Sequence, residues 1–111
     1  MHFINYEDFE KIDIRVGRIT KIEDFPRARK PAYKLWIDFG EIGEKQSSAQ
    51  ITARYSKEEL IGRLVTAVVN FPPKQVADFI SEVLVLGAVL DDKDVILIQP
   101  DRDVPVGKRI L

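Results

Sequence analysis

The residues that most often carry catalysis are scarce in this sequence. It contains no cysteine and a single histidine, His2, beside Met1. Cysteine nucleophiles and thiolate metal sites are therefore excluded, and a zinc site with two histidines cannot form within one chain. A Ser-His-Asp triad would depend on His2, and the carboxylates follow no spacing that singles out an acid–base pair. The sequence predicts a protein that is not an enzyme and that needs no cofactor and no tightly bound metal.

Two short motifs come close to ion-binding patterns, and each lacks a necessary residue. The segment GEIGEK, residues 40–45, has no Ser or Thr after its lysine to hold magnesium, as a phosphate-binding loop requires. Asp91, Asp92 and Asp94 have no glycine at the sixth loop position and no later glutamate, as a calcium loop requires. We interpret the first motif as a hairpin connection between Gly40 and Gly43 and the second as a turn.

Binding is better supported than catalysis, first by a cluster of basic residues. The whole chain has 17 basic and 18 acidic residues, a net charge of −1, so bulk charge does not indicate nucleic acid. However, the stretch from Phe25 to Ile37 carries Arg27, Arg29, Lys30 and Lys34 without any acid. Such a cluster is able to bind a polyanion at one face, and it is also typical of a solvated loop.

Three further features each have a binding and a structural interpretation. Residues 45–52, KQSSAQIT, are almost wholly polar between two strands, which suits hydrogen bonding to bases or to a peptide backbone, or else an exposed outer strand. Asn70 ends an apolar strand and either contacts a ligand or closes a turn. Tyr33 and Trp36 are able to stack on bases, although packing is the commoner role of a tryptophan such as Trp36.

Short strands and frequent turn signals indicate a small barrel or sandwich that positions these residues. A helix is predicted over Tyr6–Lys11 after Asn5, and a second one opens with a capping box at Ser56 and stops at Gly62. The first strand begins at Ile12, with a bulge at Gly17 where the apolar alternation slips. The next strands are predicted from Leu35 to Phe39, over Lys45–Thr52, Leu64–Phe71 and Val83–Val89, and over Val95–Ile98. About five strands with a helix between the third and fourth is the element order of an OB-fold.

Length and hydropathy favour one domain without membrane insertion. The chain has 111 residues, of which 45% are hydrophobic and 32% charged, as in an ordinary globular domain. The longest apolar run, Val83 to Leu90, is far shorter than the roughly 20 residues that a membrane helix needs. The first residues, MHFINYEDFEK, lack the basic and apolar regions of a signal peptide. We therefore expect a cytoplasmic protein.

Four segments in order resemble the CsaA family: DIRVGRI, KQSSAQIT, VVNFPPKQVADFISEVLVLG and the PVGKRI near the end of the chain. CsaA proteins are bacterial, free-standing tRNA-binding-domain proteins described as secretion-related chaperones. Their wider relatives include the C-terminal extension of methionyl-tRNA synthetase. The resemblance extends from Phe9 to Ile110.

The resemblance implies an all-β, five-stranded OB-fold barrel with short helices at the N-terminus and between strands 3 and 4. It implies one tRNA-binding-type domain over residues 1–111, with N- and C-terminal dimerisation extensions. Asn70, Lys74 and Ser81 match positions that the wider family keeps near its RNA surface. The pairs Ala49-Gln50 and Val83-Leu84 replace the Ser-Gly and Gly-Met pairs of synthetase appendages, which points to the CsaA branch.

The predicted function is thus non-catalytic, homodimeric tRNA binding, or binding of structured RNA, together with a chaperone role toward unfolded or export-destined polypeptide. The alternative is a purely peptide-binding chaperone without physiological tRNA binding. The candidate RNA-binding residues are Arg27, Arg29, Lys30, Lys34, Lys45, Gln46, Ser48, Asn70, Lys74 and Ser81. The candidate residues for peptide binding or dimerisation are the apolar Phe3, Ile4, Phe9, Phe71, Pro72 and Pro73.

Overall fold

The computed structural model of the protein describes residues 1–91 and 94–111. In chain order the elements are α1 (Tyr6–Glu10), β1 (Ile14–Asp24), β2 (Tyr33–Asp38), a 3₁₀ turn (Gly40–Ile42), β3 (Glu44–Ala49), α2 (Lys57–Leu60), β4 (Leu64–Val68), β5 (Lys74–Val76), β6 (Phe79–Ser81), β7 (Leu84–Val85), β8 (Gly87–Asp91), β9 (Asp94–Leu97) and β10 (Arg109–Ile110). In the part that the structure describes, no helix is long and apolar enough to cross a membrane.

Five antiparallel strands form a nearly closed barrel in the order β3-β2-β1-β4-β7, and β10 adds to β1. The 11-residue β1 is the centre of the sheet because it pairs with β4 along its first half and with β2 along its second. Helix α2 lies between β3 and β4 in the chain. The expected all-β class and OB-fold arrangement are therefore confirmed.

Regular alternation places the core where the sequence predicts it. Leu35 and Ile37 on β2 and the following Phe39 are fully buried, while Trp36 and Asp38 face the other side. Burial of such side chains is the main driving force that closes a small barrel.

The bulge in β1 lies at a different residue from the one that the alternation predicts. The register shifts between Ile19 and Lys21, whereas Gly17 pairs regularly with Val65. A Cβ atom on Gly17 would lie 2.5 Å from Ile37 Cγ2 and 2.7 Å from the Phe39 ring. The glycine is thus needed for close packing, and the prediction of a bulge there is wrong.

Three predicted strands are too long. Strand β3 ends at Ala49, three residues before the predicted end at Thr52. Strand β4 ends at Val68, because the following residues turn away toward the proline pair at 72–73, where a ladder cannot continue. The predicted strand over Val83–Val89 is divided between two sheets: β7 pairs with β4, and β8 forms a separate hairpin with β9. In that hairpin Asp91 pairs with Asp94; Asp92 of the predicted turn lies, with Lys93, outside the described residues.

The hairpin formed by β5 and β6 has no sequence signal of the usual kind. Its two-residue turn is Ala77-Asp78, and Ala77 has a φ of +53°, a conformation usually taken by glycine or asparagine.

Both helices begin where the capping residues in the sequence predict. At α2, Ser56 and Glu59 exchange hydrogen bonds as a capping box, and α1 begins after Asn5.

Candidate nucleic-acid interface

A groove runs between the loop that joins β1 to β2 and the β5–β6 hairpin. It has a volume of about 1040 Å³. Five of the ten candidate RNA-binding residues line it: Arg29, Lys30, Ser48, Lys74 and Ser81. Its remaining lining is Ala28, Ala32, Gln50, Gln75, Val76, Ala77, Val83 and Leu84. Cations on two facing walls with a neutral floor between them form a suitable channel for a phosphate backbone.

Three aromatic rings hold the two walls of this groove together. The ring of Phe79, from the hairpin, lies edge-on to Phe25 at 5.6 Å and to Trp36 at 5.8 Å between centroids. Phe25 and Phe79 are buried, and Tyr33 is buried in the main core. These contacts confirm the packing interpretation of Trp36 and Tyr33.

Two of the basic candidates make contacts within the protein rather than lining the groove. The ammonium of Lys34 lies 5.0 Å from the centroid of the Phe25 ring and 5.4 Å from that of Phe79, over their faces. The guanidinium of Arg27 pairs with Asp78 at 3.4 Å, which joins the loop to the tip of the hairpin. Both contacts help to hold the shape of the groove, and Lys34, whose contacts are with neutral rings, also adds positive charge beside it.

The polar segment on β3 forms the seam at which the barrel closes. The backbone N–H of Ser48 donates to Ser81 Oγ at 3.1 Å, and the side-chain amide of Gln46 donates to the Ile80 carbonyl at 2.7 Å. The hydroxyl of Ser47, which is buried, donates to the Val83 carbonyl at 2.9 Å. These side-chain hydrogen bonds, together with one backbone bond from the Glu82 N–H to the Gln46 carbonyl at 2.8 Å, take the place of a regular ladder between β3 and the segment around β6. Neither sequence interpretation of this segment, a ligand-binding surface or an exposed strand, includes this role.

Lys45 and Asn70 do not line the groove. Lys45 lies opposite the buried Ile37 of β2, so it belongs to the inward face of β3. It is near the start of β3, whereas Ser48, which lines the groove, is near its end. The Asn70 amide donates to the Lys11 carbonyl at 2.7 Å and accepts from the Asp13 N–H at 3.0 Å. Asn70 therefore fastens the segment after α1 to the end of β4.

The apolar candidates lie mostly on the surface. Phe3 and Ile4 are 94% and 70% exposed, and Phe9 is half-buried. Phe71, Pro72 and Pro73 are also exposed. The bonds of Asn70 place Phe71 at the same end of the barrel as the N-terminal segment. The described residues of this one chain leave an apolar surface there uncovered.

A smaller pocket, which the sequence does not predict, lies where β3 and β7 face each other. This seam pocket has a volume of about 230 Å³ and is lined by Ser48, Ala49, Gln50, Ile51, Leu84, Val85, Val95 and Leu97. Three of these residues, Ala49, Gln50 and Leu84, belong to the two pairs by which the sequence resembles the CsaA branch rather than synthetase appendages. That coincidence is the only sequence signal that could have found the pocket.

The wall of the seam pocket is fastened by a strong ion pair. Arg54, in the turn after β3, donates two hydrogen bonds of 2.6 Å to the carboxylate of Asp94 at the start of β9. These bonds and the adjacent positive charge hold the pKa of Asp94 below its usual value. The Tyr55 hydroxyl also accepts from the Leu97 N–H at 3.0 Å. No cluster of three His, Cys, Asp or Glu side chains suited to a metal occurs among residues 1–91 and 94–111.

Comparisons with known proteins agree on one family. Residues 14–109 match the family described as a putative tRNA binding domain. The structure superimposes on that of the chaperone CsaA of Bacillus anthracis str. Ames with a TM-score of 0.95 and 56% identity, covering 99% of this chain and 100% of the other. For the CsaA chaperone protein of Picrophilus torridus the TM-score is 0.90 and the identity 57%, covering 98% and 100%.

A methionine–tRNA ligase shows the wider relationship. The enzyme of Thermococcus onnurineus (strain NA1) is 36% identical over 111 residues, which cover 99% of this chain and 15% of the ligase. The chain thus spans a small part of that relative's length. With a family match over most of its residues and close similarity to CsaA structures over their full length, this chain belongs to the CsaA family of tRNA-binding-domain proteins.

Proposed function

We propose that this protein is a non-catalytic, homodimeric tRNA-binding protein that also acts as a chaperone for unfolded or export-destined polypeptide. The observation that carries the RNA-binding part is the convergence of Arg29, Lys30 and Lys74 on one groove. All three side chains are exposed, and none forms an ion pair with another described residue. A tRNA partner would place the protein in the cytoplasm.

Within this proposal the candidate residues take different roles. Arg29, Lys30 and Lys74 contact phosphates directly, because they line the groove without an acidic neighbour across it. Ser48, which also lines the groove, is assigned a contact to a base edge or to a ribose 2′-hydroxyl, the group that distinguishes RNA from DNA. Gln46 and Ser81 mainly hold the hairpin wall in place.

The salt dependence of tRNA binding tests this assignment. With three phosphates neutralised, log affinity should fall against log salt with a slope of about −2.7, and Lys74→Ala should reduce the slope to about −1.8. Between 50 and 200 mM salt, affinity would then fall by about 40-fold for the wild type and about 12-fold for the variant.

Lys108→Ala is the matched control for this experiment. It removes the same charge from an exposed lysine that does not line the groove. Filter binding at three salt concentrations should give the control the wild-type slope. Equal slopes for Lys74→Ala and Lys108→Ala would contradict the assignment of the groove.

The homodimer is proposed because a free monomer would leave the apolar N-terminal segment in water. We expect sedimentation analysis to give about twice the 12.7 kDa chain mass. Ile4→Ser should weaken the dimer, whereas Ile61→Ser, which changes another exposed isoleucine away from this segment, should not. A 12.7 kDa species of the wild type at micromolar concentration would refute the dimer.

The second candidate is a peptide-binding chaperone without physiological tRNA binding. The seam pocket favours it, because an aliphatic lining suits a side chain of a polypeptide. The tRNA titration separates the two functions. If the wild-type protein fails to bind tRNA even at low salt, the RNA-binding part of the proposal is wrong. The chaperone part is then tested separately, by peptide binding.

A further inference from the structure

An ion pair joins the two walls at the rim of the groove. The stretch from Phe25 to Ile37 contains four cations and no acid, so its charges repel one another when no ligand is bound. Asp78, at the tip of the opposite hairpin, supplies one negative charge, and its Oδ2 atom lies 3.4 Å from Nη1 of Arg27. Neither Arg27 nor Asp78 lines the groove, but their chain neighbours Ala28 and Ala77 do.

This rim pair, Arg27 and Asp78, is looser than the ion pair beside the seam pocket. Arg54 donates two hydrogen bonds of 2.6 Å to Asp94, whose side chain is 27% exposed. The side chains of Arg27 and Asp78, by contrast, are 75% and 47% exposed. An exposed ion pair favours the paired state by only about 1.5- to fivefold in an equilibrium constant. Arg27 is thus paired in the free protein and is still accessible to a ligand.

The backbone on both sides of the rim pair is held by the core, so only side chains have to move when the pair separates. Phe25 is buried, and its carbonyl accepts from the Ala28 N–H at 3.2 Å, which closes the turn that carries Arg27. Phe79, next to Asp78, is buried against Phe25. Burial of an aromatic ring contributes far more to stability than an exposed ion pair does, so the hairpin stays in place without the pair.

We propose that Asp78 is an autoinhibitory residue, whose carboxylate occupies Arg27 and withholds its guanidinium from the phosphates of RNA. The inference rests on the RNA-binding part of the proposed function, which assigns the cations that line the groove to phosphates. The rim pair is neutral as a unit, so it adds no net counterion release when RNA binds. The wild-type protein therefore uses three cations although a fourth lies at the rim, and Asp78 keeps its affinity for polyanions below the value that the groove allows.

The variant Asp78→Asn separates autoinhibition from a purely structural role, because the two roles predict changes of opposite sign. Asparagine is common in turns, so the variant should keep the fold. If Asp78 withholds Arg27, the salt slope of tRNA binding should steepen from about −2.7 to about −3.6. Counted from 1 M salt, where the added contact contributes nothing, affinity should rise about 15-fold at 50 mM and about fourfold at 200 mM. If the rim pair only holds the hairpin, affinity should fall instead.

A double-mutant cycle with Arg27→Ala identifies the cation that is released. In the Asp78→Asn background, Arg27→Ala should lower tRNA affinity about 15-fold at 50 mM salt and return the slope to about −2.7. In the wild-type background the same change should lower affinity about threefold or less, because Arg27 makes no phosphate contact there. Simple addition of charge effects predicts equal losses in the two backgrounds.

Asp103→Asn is the matched control. Asp103 also pairs with an arginine, Arg18, at 3.3 Å, and neither residue lines the groove. The control removes the same charge from the chain and should leave the salt slope at about −2.7. Trp36 emission without RNA should be the same in Asp78→Asn as in the wild type, because Phe79 stays in contact with it.

Three outcomes of the filter-binding titrations would overturn the inference. They are an unchanged or shallower slope in Asp78→Asn, equal losses from Arg27→Ala in the two backgrounds, and a rise of the same size in Asp103→Asn. Lys74→Ala does not involve the rim pair, so a wild-type slope in that variant would contradict the groove itself. A shallower slope in Lys74→Ala beside an unchanged slope in Asp78→Asn would contradict only the role of Asp78.

Discussion

Phe79 is the residue through which the packing of the hairpin can be linked most directly to function. Its side chain is 6% exposed and contacts both Phe25 and Trp36. Replacement of a buried phenylalanine by alanine costs about 3–5 kcal/mol, and the lower value applies here because this cluster is small and lies near the surface. The two ring pairs account for about 1–3 kcal/mol of that loss. Phe79→Leu keeps most of the volume and should lose only this smaller part.

The loss in Phe79→Ala should appear as local opening rather than as global unfolding. Strands β5 and β6 have three residues each and form a separate two-stranded sheet, which is marginally stable without packing. A whole domain of this kind is stable by about 5–15 kcal/mol, so detachment of the hairpin is the less costly response. Trp36 is the single tryptophan and lies against Phe79, so its emission reports on the detachment.

The assay follows Trp36 emission and far-ultraviolet circular dichroism in the same urea titration. In Phe79→Ala the emission should change at lower urea than the dichroism, whereas in Phe79→Leu the two transitions should coincide. Because Lys74 and Ser81 are carried by the hairpin, tRNA affinity should also fall further in Phe79→Ala than in Lys74→Ala. Coincident transitions together with wild-type tRNA binding in Phe79→Ala would refute the reasoning.

Three other substitutions test separate parts of the structure. Gly17→Ala should destabilise the fold by about 1–3 kcal/mol in urea titrations, because its methyl group would overlap the Phe39 ring. Asp94→Asn should make stability less dependent on pH. Arg54 lowers the folded-state pKa of Asp94 below its ordinary 3.8. The stability that this carboxylate adds is therefore present above that pH and is lost as the pH falls through the folded-state pKa. In thermal melts from pH 6 to pH 2, the melting temperature of the variant should fall less than that of the wild type. Asn70→Ala should leave the salt slope of tRNA binding unchanged and speed hydrogen exchange in the segment after α1, because two backbone groups lose their partner.

The parts of the fold that sequence reasoning predicts are those set by neighbouring residues. The alternation at Leu35, Ile37 and Phe39 identifies the buried face of β2 because side chains of a strand point to alternate sides. The capping box at Ser56 marks the start of α2 for an equally local reason, since its hydrogen bonds join residues three apart.

The parts that sequence reasoning misses depend on distant partners. The bulge in β1 arises where it pairs with β2, and no local pattern distinguishes Thr20 from Gly17 as its place. The β5–β6 turn has no glycine or asparagine, so the strain at Ala77 must be offset by the packing of Phe79 below it. The seam pocket joins residues about 35 positions apart, a separation at which periodicity carries no information.

The candidate site also combines features set by neighbouring residues with features that depend on distant partners. A cluster of cations at 27–34 is visible in the sequence, but whether Lys74 belongs with it depends on where the hairpin folds back. The same fold uses Gln46 and Ser81 to hold that hairpin, so substitutions of these two residues would disturb the groove wall and the ligand contacts together. Lys74, by contrast, has an exposed side chain. A change in the salt slope at Lys74 therefore reports on phosphate contact alone, whereas a loss of affinity at Gln46 or Ser81 reports first on the closure of the barrel.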